Sequence, residues 1–283
     1  MCSRDEPGAP ARWNSQLYGR AGFPLAHLST MSRGGIDTAM FQAKMANTPQ
    51  LLDEVHRIRY QVYCVENPYE DPARNQDGLE RDEFDSHSVH GLLVHAASES
   101  SVGTVRLVMH KPGAHCGSLP IHQVCQHPDL LDPDFLPLKT TAEFSRFAIS
   151  KTFRRRVEGD TQPGSAEAER RETARLIPHI TVGLITIALR LAFAHGVTHV
   201  CAVMEPALLR LLSRFAIKFK PLGAQVEFHG WRQPCYTTVA AMLSEIELER
   251  RKIWETITDN GRLWPSSLGR AHVPDHHQLP EFA

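Results

Sequence analysis

The chain has 283 residues, 31 basic and 32 acidic side chains and a formal net charge of −1, so it lacks the positive field that sequence-independent nucleic-acid binding requires. With 42% hydrophobic and 22% charged residues, it has enough apolar side chain to bury one substantial core without disulfides. Nucleic acid is thereby excluded as a partner, and so is a disulfide scaffold.

Residues 1–40 are rich in Gly, Pro, Ser and Arg without sustained periodicity and read as a peripheral arm. The opening Met1-Cys2-Ser3-Arg4-Asp5-Glu6 has no apolar h-region, so a cytoplasmic location is expected. The core domain is expected over 41–259, with its first element at Thr48-Pro49. Thr48 is a helix N-cap followed by proline at the first helical position, and Leu51, Val55, Ile58 and Val62 then recur at helical spacing.

Two antiparallel strands follow at Gly91–Ala96 and Val102–Met109 around the polar turn Ser98–Ser101, and a third is expected at Ala142–Ile149. Residues 154–173 read as an irregular insertion carrying Gly159, Pro163 and Gly164. A long apolar-periodic helix is expected over Ala174–Ala194. Its most apolar part, Leu184–Ala194, is interrupted by Arg190 and is shorter than the roughly 20 residues of a membrane span, so it should be buried.

Next come a buried strand at Thr198–Met204, a helix from Pro206 to Ile217, strands at Gln225–Phe228 and Tyr236–Met242, and a charged helix over Ser244–Thr258. Residues 260–283 read as a tail. There is no internal repeat, and the order of elements is that of a mixed α/β layered domain.

Four short groups of residues carry chemical interest. Glu80, Asp82 and Asp85 are three carboxylates just ahead of the first strand, a pattern that is also common in solvated loops. Arg106 sits inside an apolar strand, where it must reach solvent or a carboxylate. In Glu143-Phe-Ser-Arg146, strand alternation puts Glu143 and Ser145 on one face and Phe144 and Arg146 on the other. Arg59 and Tyr63, four apart, share a helix face distinct from the apolar stripe.

The six cysteines are scattered without a C-x-x-C pair, and Cys201 falls in a buried strand as a small hydrophobe. His87-x-x-His90, His195, His199 and His276-His277 lack the spacing of a metal set, so no metal is expected.

Taken together, Arg59-x-x-x-Tyr63, Glu80-x-Asp82-x-x-Asp85, Gly103-x-x-Arg106 and Glu143-x-Ser145-Arg146 resemble the LuxI-type acyl-homoserine lactone synthases. With Met204-Glu-Pro-Ala-Leu-Leu and His229-Gly-Trp-Arg-Gln-Pro234, they look closer still to the N-acyl amino acid synthases and to the acyltransferases of PEP-CTERM/exosortase systems. The resemblance spans about Ala46 to Met242. It implies a GNAT fold: three layers around a twisted mixed sheet whose middle strands splay to admit the pantetheine arm of an acyl donor.

The resemblance further implies an N-acyltransferase moving a fatty acyl group from an acyl-carrier-protein thioester to the amine of an amino acid, with no permanently bound cofactor. The alternatives are a lactone synthase using S-adenosylmethionine, a coenzyme A-dependent acyltransferase, and a non-catalytic acyl-binding module. In this reading Glu143 is the general base, Ser145 orders water or the leaving thiolate, and Arg59, Tyr63, Glu80, Asp82, Asp85, Arg106 and Arg146 shape the acceptor pocket through ion pairs.

Lys151, Arg154, Arg155 and Arg156 would dock an acidic carrier protein, and the lipid product would bring peripheral membrane contact. Arg156-Val-Glu-Gly159-Asp-Thr161 fits poorly the turn that holds the pyrophosphate of coenzyme A. Tyr63 and Tyr69 stand where the lactone synthases favour Phe and Trp, which turns the reading toward an N-acyl amino acid.

Overall fold

The computed structural model describes residues 40–111, 113, 117–151 and 166–267, with the backbone alone over 166–175. Its elements in order are β1 (Phe41–Met45), α1 (Pro49–Tyr60), β2 (Ser88–His95), β3 (Ser101–Met109), a one-turn α2 (Ile121–Val124) and β4 (Thr141–Ile149). Then come α3 (Ala166–Ala194), β5 (His199–Met204), α4 (Pro206–Ser213), β6 (Lys220–Pro221), β7 (Val226–Glu227), β8 (Trp231–Thr238), α5 (Val239–Glu249) and α6 (Arg251–Thr258).

The eight strands form one sheet in the order β1-β2-β3-β4-β5-β8-β6, with β7 also on β8. All neighbours are antiparallel except β4 and β5. That parallel pair is short: Thr141–Phe144 lie against His199–Ala202, and from Ser145 to Ile149 the β4 edge on that side has no strand partner among the described residues. The middle of the sheet is therefore splayed, as the GNAT fold requires.

Strand alternation builds the three layers. Leu93, Val105 and Leu107 point to α3, where Ile180, Leu184, Ile185 and Leu189 are buried in the main core. Leu92 and Val94 point to the opposite face and pack under Val55, Ile58 and Val62 of α1. A further apolar cluster on that second face includes Val108, Ile121 and Cys201. Each fully buried Leu or Ile contributes roughly 1.5–3 kcal/mol of transfer free energy. The polar residues of interest lie between the two clusters of the α1 face.

Several expected boundaries move. β1 lies ahead of Thr48, where no element is expected; its buried Phe41 and Ala43 alternate with outward residues over too few positions to stand out. The helix α3 starts at Ala166, inside the stretch read as an irregular insertion. Its apolar part is also longer than Leu184–Ala194: Leu176–Ala194 has the length and hydropathy of a membrane span, yet 72% of that window is buried inside the protein.

Arg190, which interrupts that apolar run, donates to the carbonyls of Ile257 at 3.1 Å and Thr256 at 2.7 Å, capping α6 with a cation. The last strand is Trp231–Thr238 rather than Tyr236–Met242, because the Thr238 hydroxyl accepts from Ala241 N and starts α5 there. The expected charged helix is two helices that break at Arg250. The α4 helix stops at Ser213, short of Ile217.

The first residues of the tail are also part of the core. Trp264 stacks on Phe193 at 5.6 Å, and Ser266 and Ser267 hydrogen-bond the buried Glu247 carboxylate.

Candidate functional site

Three local features aim the charged residues at one another. Thr48 caps α1 through its hydroxyl (Leu51 N to Oγ1, 3.3 Å), and the apolar stripe of the helix settles on the sheet. This turns Arg59 toward the loop that follows. The helix then widens into a π-turn over Gln61–Glu66, which carries Tyr63 under Arg146, with 5.1 Å between the guanidinium carbon and the ring centre.

In the loop, Asp82 caps a short 3-10 turn over Glu83–His87. Its Oδ1 accepts from Phe84 N at 3.0 Å, and Asp85 Oδ2 accepts from Asp82 N at 2.9 Å. That reciprocal cap orients both carboxylates before any arginine is considered. The Glu80 carbonyl is held by His56 Nδ1 at 2.9 Å.

The third feature is a bulge between β3 and β4. Thr104 pairs with Ala148 and Arg106 with Ser145, so Arg146 and Phe147 both face Val105. Arg146 has φ +46°, a left-handed conformation unusual for a side chain this large. Strand alternation predicts Arg146 on the face opposite Glu143 and Ser145. The bulge cancels that alternation, and Arg146 joins them on one cavity wall.

The result is a network of three arginines and four carboxylates, of which Glu70 is the most exposed. Arg59 donates through Nε to Glu80 and through both terminal nitrogens to Asp85 at 2.6 and 3.1 Å. Arg106 donates to Asp82 at 2.5 Å, to Asp85 at 2.8 Å and to Ser145 Oγ at 2.9 Å. Arg146 meets Glu80 at 2.8 Å, Asp82 at 3.0 Å and Glu70 at 3.1 Å.

Burial alone would raise the Glu80 carboxyl, but the Arg146 and Arg59 guanidiniums outweigh it and hold it at about 2. The same opposition, won by Arg59 and Arg106, keeps Asp85 far below the ordinary carboxylate range. Behind them, burial lowers His90 to about 3.

Glu143 is the exception. It is 2% exposed, and burial pushes its carboxyl up to about 8 against the pull of the Ile121 N–H, which donates to Oε2 at 2.7 Å. The arginines that hold the other carboxylates ionised pair elsewhere, so Glu143 is protonated at neutral pH and titrates in the range of an amine.

Glu143, Ser145, Arg146, Arg106, Asp82 and Tyr63 line a cavity of about 360 Å³. Arg59, Glu80 and Asp85 lie behind that wall and act on it only through their partners. Lys151 is elsewhere: its backbone N–H donates to the Glu66 carboxylate at 2.9 and 3.0 Å, and its amine reaches Asn67 Oδ1 at 3.3 Å. Arg154, Arg155 and Arg156 lie outside the described residues.

The cavity also contains residues that the sequence reading does not single out as site residues. Glu70, Arg74 and Arg81 come from the loop after α1, and Gln123 from α2. Phe228, His229 and Arg232 come from the β7–β8 hairpin. The signal for the last group is the His229-Gly-Trp-Arg run: His229 and Gly230 both have positive φ and make the tight turn that swings the imidazole inward. Arg232 fastens the hairpin, donating to the carbonyls of Phe228 at 2.9 Å and His229 at 3.1 Å while pairing with Glu205 at 3.1 Å. The Met204-Glu-Pro motif thus serves as the hairpin's anchor.

Cys201 is fully buried, and burial raises its thiol well above the ordinary range, so it is neither exposed nor ionised for covalent chemistry. Among the described residues, no three His, Cys, Asp or Glu side chains converge as a metal set.

Residues 58–159 match the family model described as Acetyltransferase (GNAT) domain. No curated protein matches the chain. Among solved structures, the chain is similar to the AHL synthase LasI, with 15% identity, 74% of this chain and 93% of that one covered, and a TM-score of 0.49. It is similar to the CoA-dependent acyl-homoserine lactone synthase BjaI with 20% identity, 80% and 89% coverage and a TM-score of 0.47. To FeeM, an N-acyl amino acid synthase from uncultured soil microbes, the identity is 15%, the coverage 75% and 97% and the TM-score 0.47. The matched span 58–159 holds the whole network from Arg59 to Arg146 together with the splayed strand β4, and the mixed sheet between its helix layers has the GNAT-like fold.

Proposed function

We propose that the protein is an N-acyltransferase that moves a fatty acyl group from an acyl-carrier-protein thioester to the amine of an amino acid. The observation that carries this reading is Glu143, a buried carboxyl titrating at about 8 on the wall of a cavity at the point where β4 leaves β5.

Amide formation needs a neutral amine. Glu143, in its ionised form, takes the proton as the amine nitrogen attacks the thioester carbon. Collapse of the tetrahedral adduct breaks the C–S bond, and the departing thiolate recovers that proton from Glu143. Arg106 donates to Ser145 Oγ, which keeps the hydroxyl at a fixed place in the cavity. The paired charges of the network compensate one another and hold the wall rigid.

The unpaired β4 edge from Ser145 to Ile149 supports a donor with an amide-bearing pantetheine arm, which pairs with an exposed strand edge. The poor match of Arg156–Thr161 to a pyrophosphate turn favours a carrier protein over coenzyme A. Lys151 with Arg154, Arg155 and Arg156 would meet the acidic carrier, in the cytoplasm where such thioesters are made.

The test offers the purified protein matched acyl-carrier and acyl-coenzyme A donors with pooled amino acids and S-adenosylmethionine, followed by mass spectrometry. N-acyl amino acids formed from the carrier donor are expected. An acyl-homoserine lactone as the product, or turnover with coenzyme A donors alone, overturns the corresponding half of the proposal.

A further inference from the structure

The cations on the cavity wall can be matched pair by pair, while the Glu83 carboxylate there accepts from Gln123 Nε2 at 3.2 Å and has no cationic partner among the described residues. Arg106 is neutralised by Asp82 and Asp85, and Arg146 by Glu70, Glu80 and Asp82. Arg232 is taken by Glu205, and Arg81 by Asp77 at 2.7 Å. One guanidinium on this wall remains. Arg74, at the end of a short 3-10 turn capped by Asp71, is exposed, lines the cavity and has no anionic partner among the described residues.

A guanidinium left free beside a site whose other cations are all paired is suited to an anionic group on the ligand, which it can hold bidentately. Its position decides which ligand. Arg74 belongs to the loop after α1, as do Tyr69 and Glu70, and the Tyr69 ring in turn packs at a tilt against His229 of the hairpin, 5.2 Å between ring centres. Of the unpaired β4 edge, only Ser145 and Arg146 reach the cavity, so a donor lying along Phe147–Ile149 runs away from it.

We infer that Arg74 is a specificity-determining residue that binds the carboxylate of the amine acceptor, so that the substrate class is an α-amino acid rather than a simple amine. This rests on the acyl-transfer reading above. The acceptor is then held at two points: its carboxylate on Arg74, and its amine beside Glu143. A charge-assisted pair of this kind, shielded from water once the ligand covers the guanidinium, is worth about tenfold in binding.

The experiment has two arms. In the first, the common amino acids and their carboxamides are compared as acceptors, with dodecanoyl-carrier protein as donor. Wild type is expected to prefer the acid, Arg74→Ala to lower the acid-to-amide ratio of kcat/KM about tenfold through the KM for the acid, and Arg74→Lys to recover part of it. In the second, binding of N-dodecanoyl-leucine and its carboxamide is measured by calorimetry without turnover, with the same loss of discrimination expected in Arg74→Ala.

An unchanged ratio in both arms overturns the inference. So does a rise confined to the KM for the donor, which would place a phosphodiester on Arg74. Absence of turnover in wild type with discrimination intact in the calorimetric arm overturns the acyl-transfer reading and leaves the carboxylate site standing.

Discussion

The backbone N–H of Ile121 donates to Glu143 Oε2 at 2.7 Å, and among the described residues this is the one hydrogen bond holding a carboxyl that burial would otherwise leave without support. Because the bond is a single neutral donor, it offsets only part of the desolvation, and the carboxyl remains at about 8 rather than in the ordinary range.

As a base, Glu143 is active when ionised, so kcat/KM should rise with pH and level off above about 8. The limb belongs to Glu143 if it stays in place when the acceptor's amine pKa is changed. Glu143→Gln should lower turnover by about a hundredfold or more while leaving circular dichroism unchanged; wild-type-like rates would remove Glu143 as the base. The stability consequence has the opposite sign. Between 4.5 and about 8 the native state keeps a proton that the unfolded chain has released, so this group's contribution to stability falls as pH rises through that window. In Glu143→Gln that dependence should be absent.

Glu80 joins two guanidiniums, Arg59 and Arg146, that have no route to bulk water through it. Replacing it with Gln leaves two buried positive charges short of a partner and should cost about 3–5 kcal/mol in chemical denaturation. Its folded pKa of about 2 is depressed from 4.5, so the stabilisation it provides is present above 4.5 and lost as pH falls toward 2. In Glu80→Gln the part of the acid dependence that this group contributes between 4.5 and about 2 should be absent.

Gly103 of the Gly103-x-x-Arg106 motif sits one residue before the bulge, where an added Cβ would lie 2.6 Å from the Ala148 carbonyl oxygen. A backbone oxygen cannot turn aside, so the β3–β4 spacing must open. Gly103→Ala should destabilise the fold by about 1–3 kcal/mol and lower turnover by displacing Arg106 and Ser145. A variant with wild-type stability and activity would show that the strands tolerate the separation.

Arg232 is the clasp of the β7–β8 hairpin, and Arg232→Ala removes its ion pair with Glu205 and both carbonyl contacts. Hydrogen exchange over residues 226–232 should accelerate while global stability changes by less than about 1 kcal/mol. The KM for the acceptor should rise, because Phe228 and His229 lose their fixed place on the wall.

Much of the fold is legible in the chain because its signals are local. Thr48-Pro49 begins a helix through capping chemistry, and the apolar spacing of Val55, Ile58 and Val62 selects the face that docks. The alternation in Gly91–Ala96 and Val102–Met109 marks a hairpin. Boundaries drift where two local preferences compete, as at Thr238, whose β-propensity extends a strand that its own hydroxyl ends by capping α5.

The chemistry-bearing residues can also be named from sequence, since arginine within an apolar strand and carboxylates at fixed spacing need partners wherever they fall. Their division into wall and support cannot. Arg59 on its helix face and Arg106 in its apolar strand both call for a carboxylate, yet the first is sealed behind Glu80 and Asp85 while the second faces the cavity.

That division, the pKa of Glu143, the reversal of Arg146 onto the wall and the isolation of Arg74 arise from a bulge, a splayed strand pair and loops that meet across the sheet. Local propensity determined which residues were available and which elements carry them. The tertiary structure alone decided which charges neutralise one another, because electrostatic energy depends on distances and burial between segments far apart in sequence.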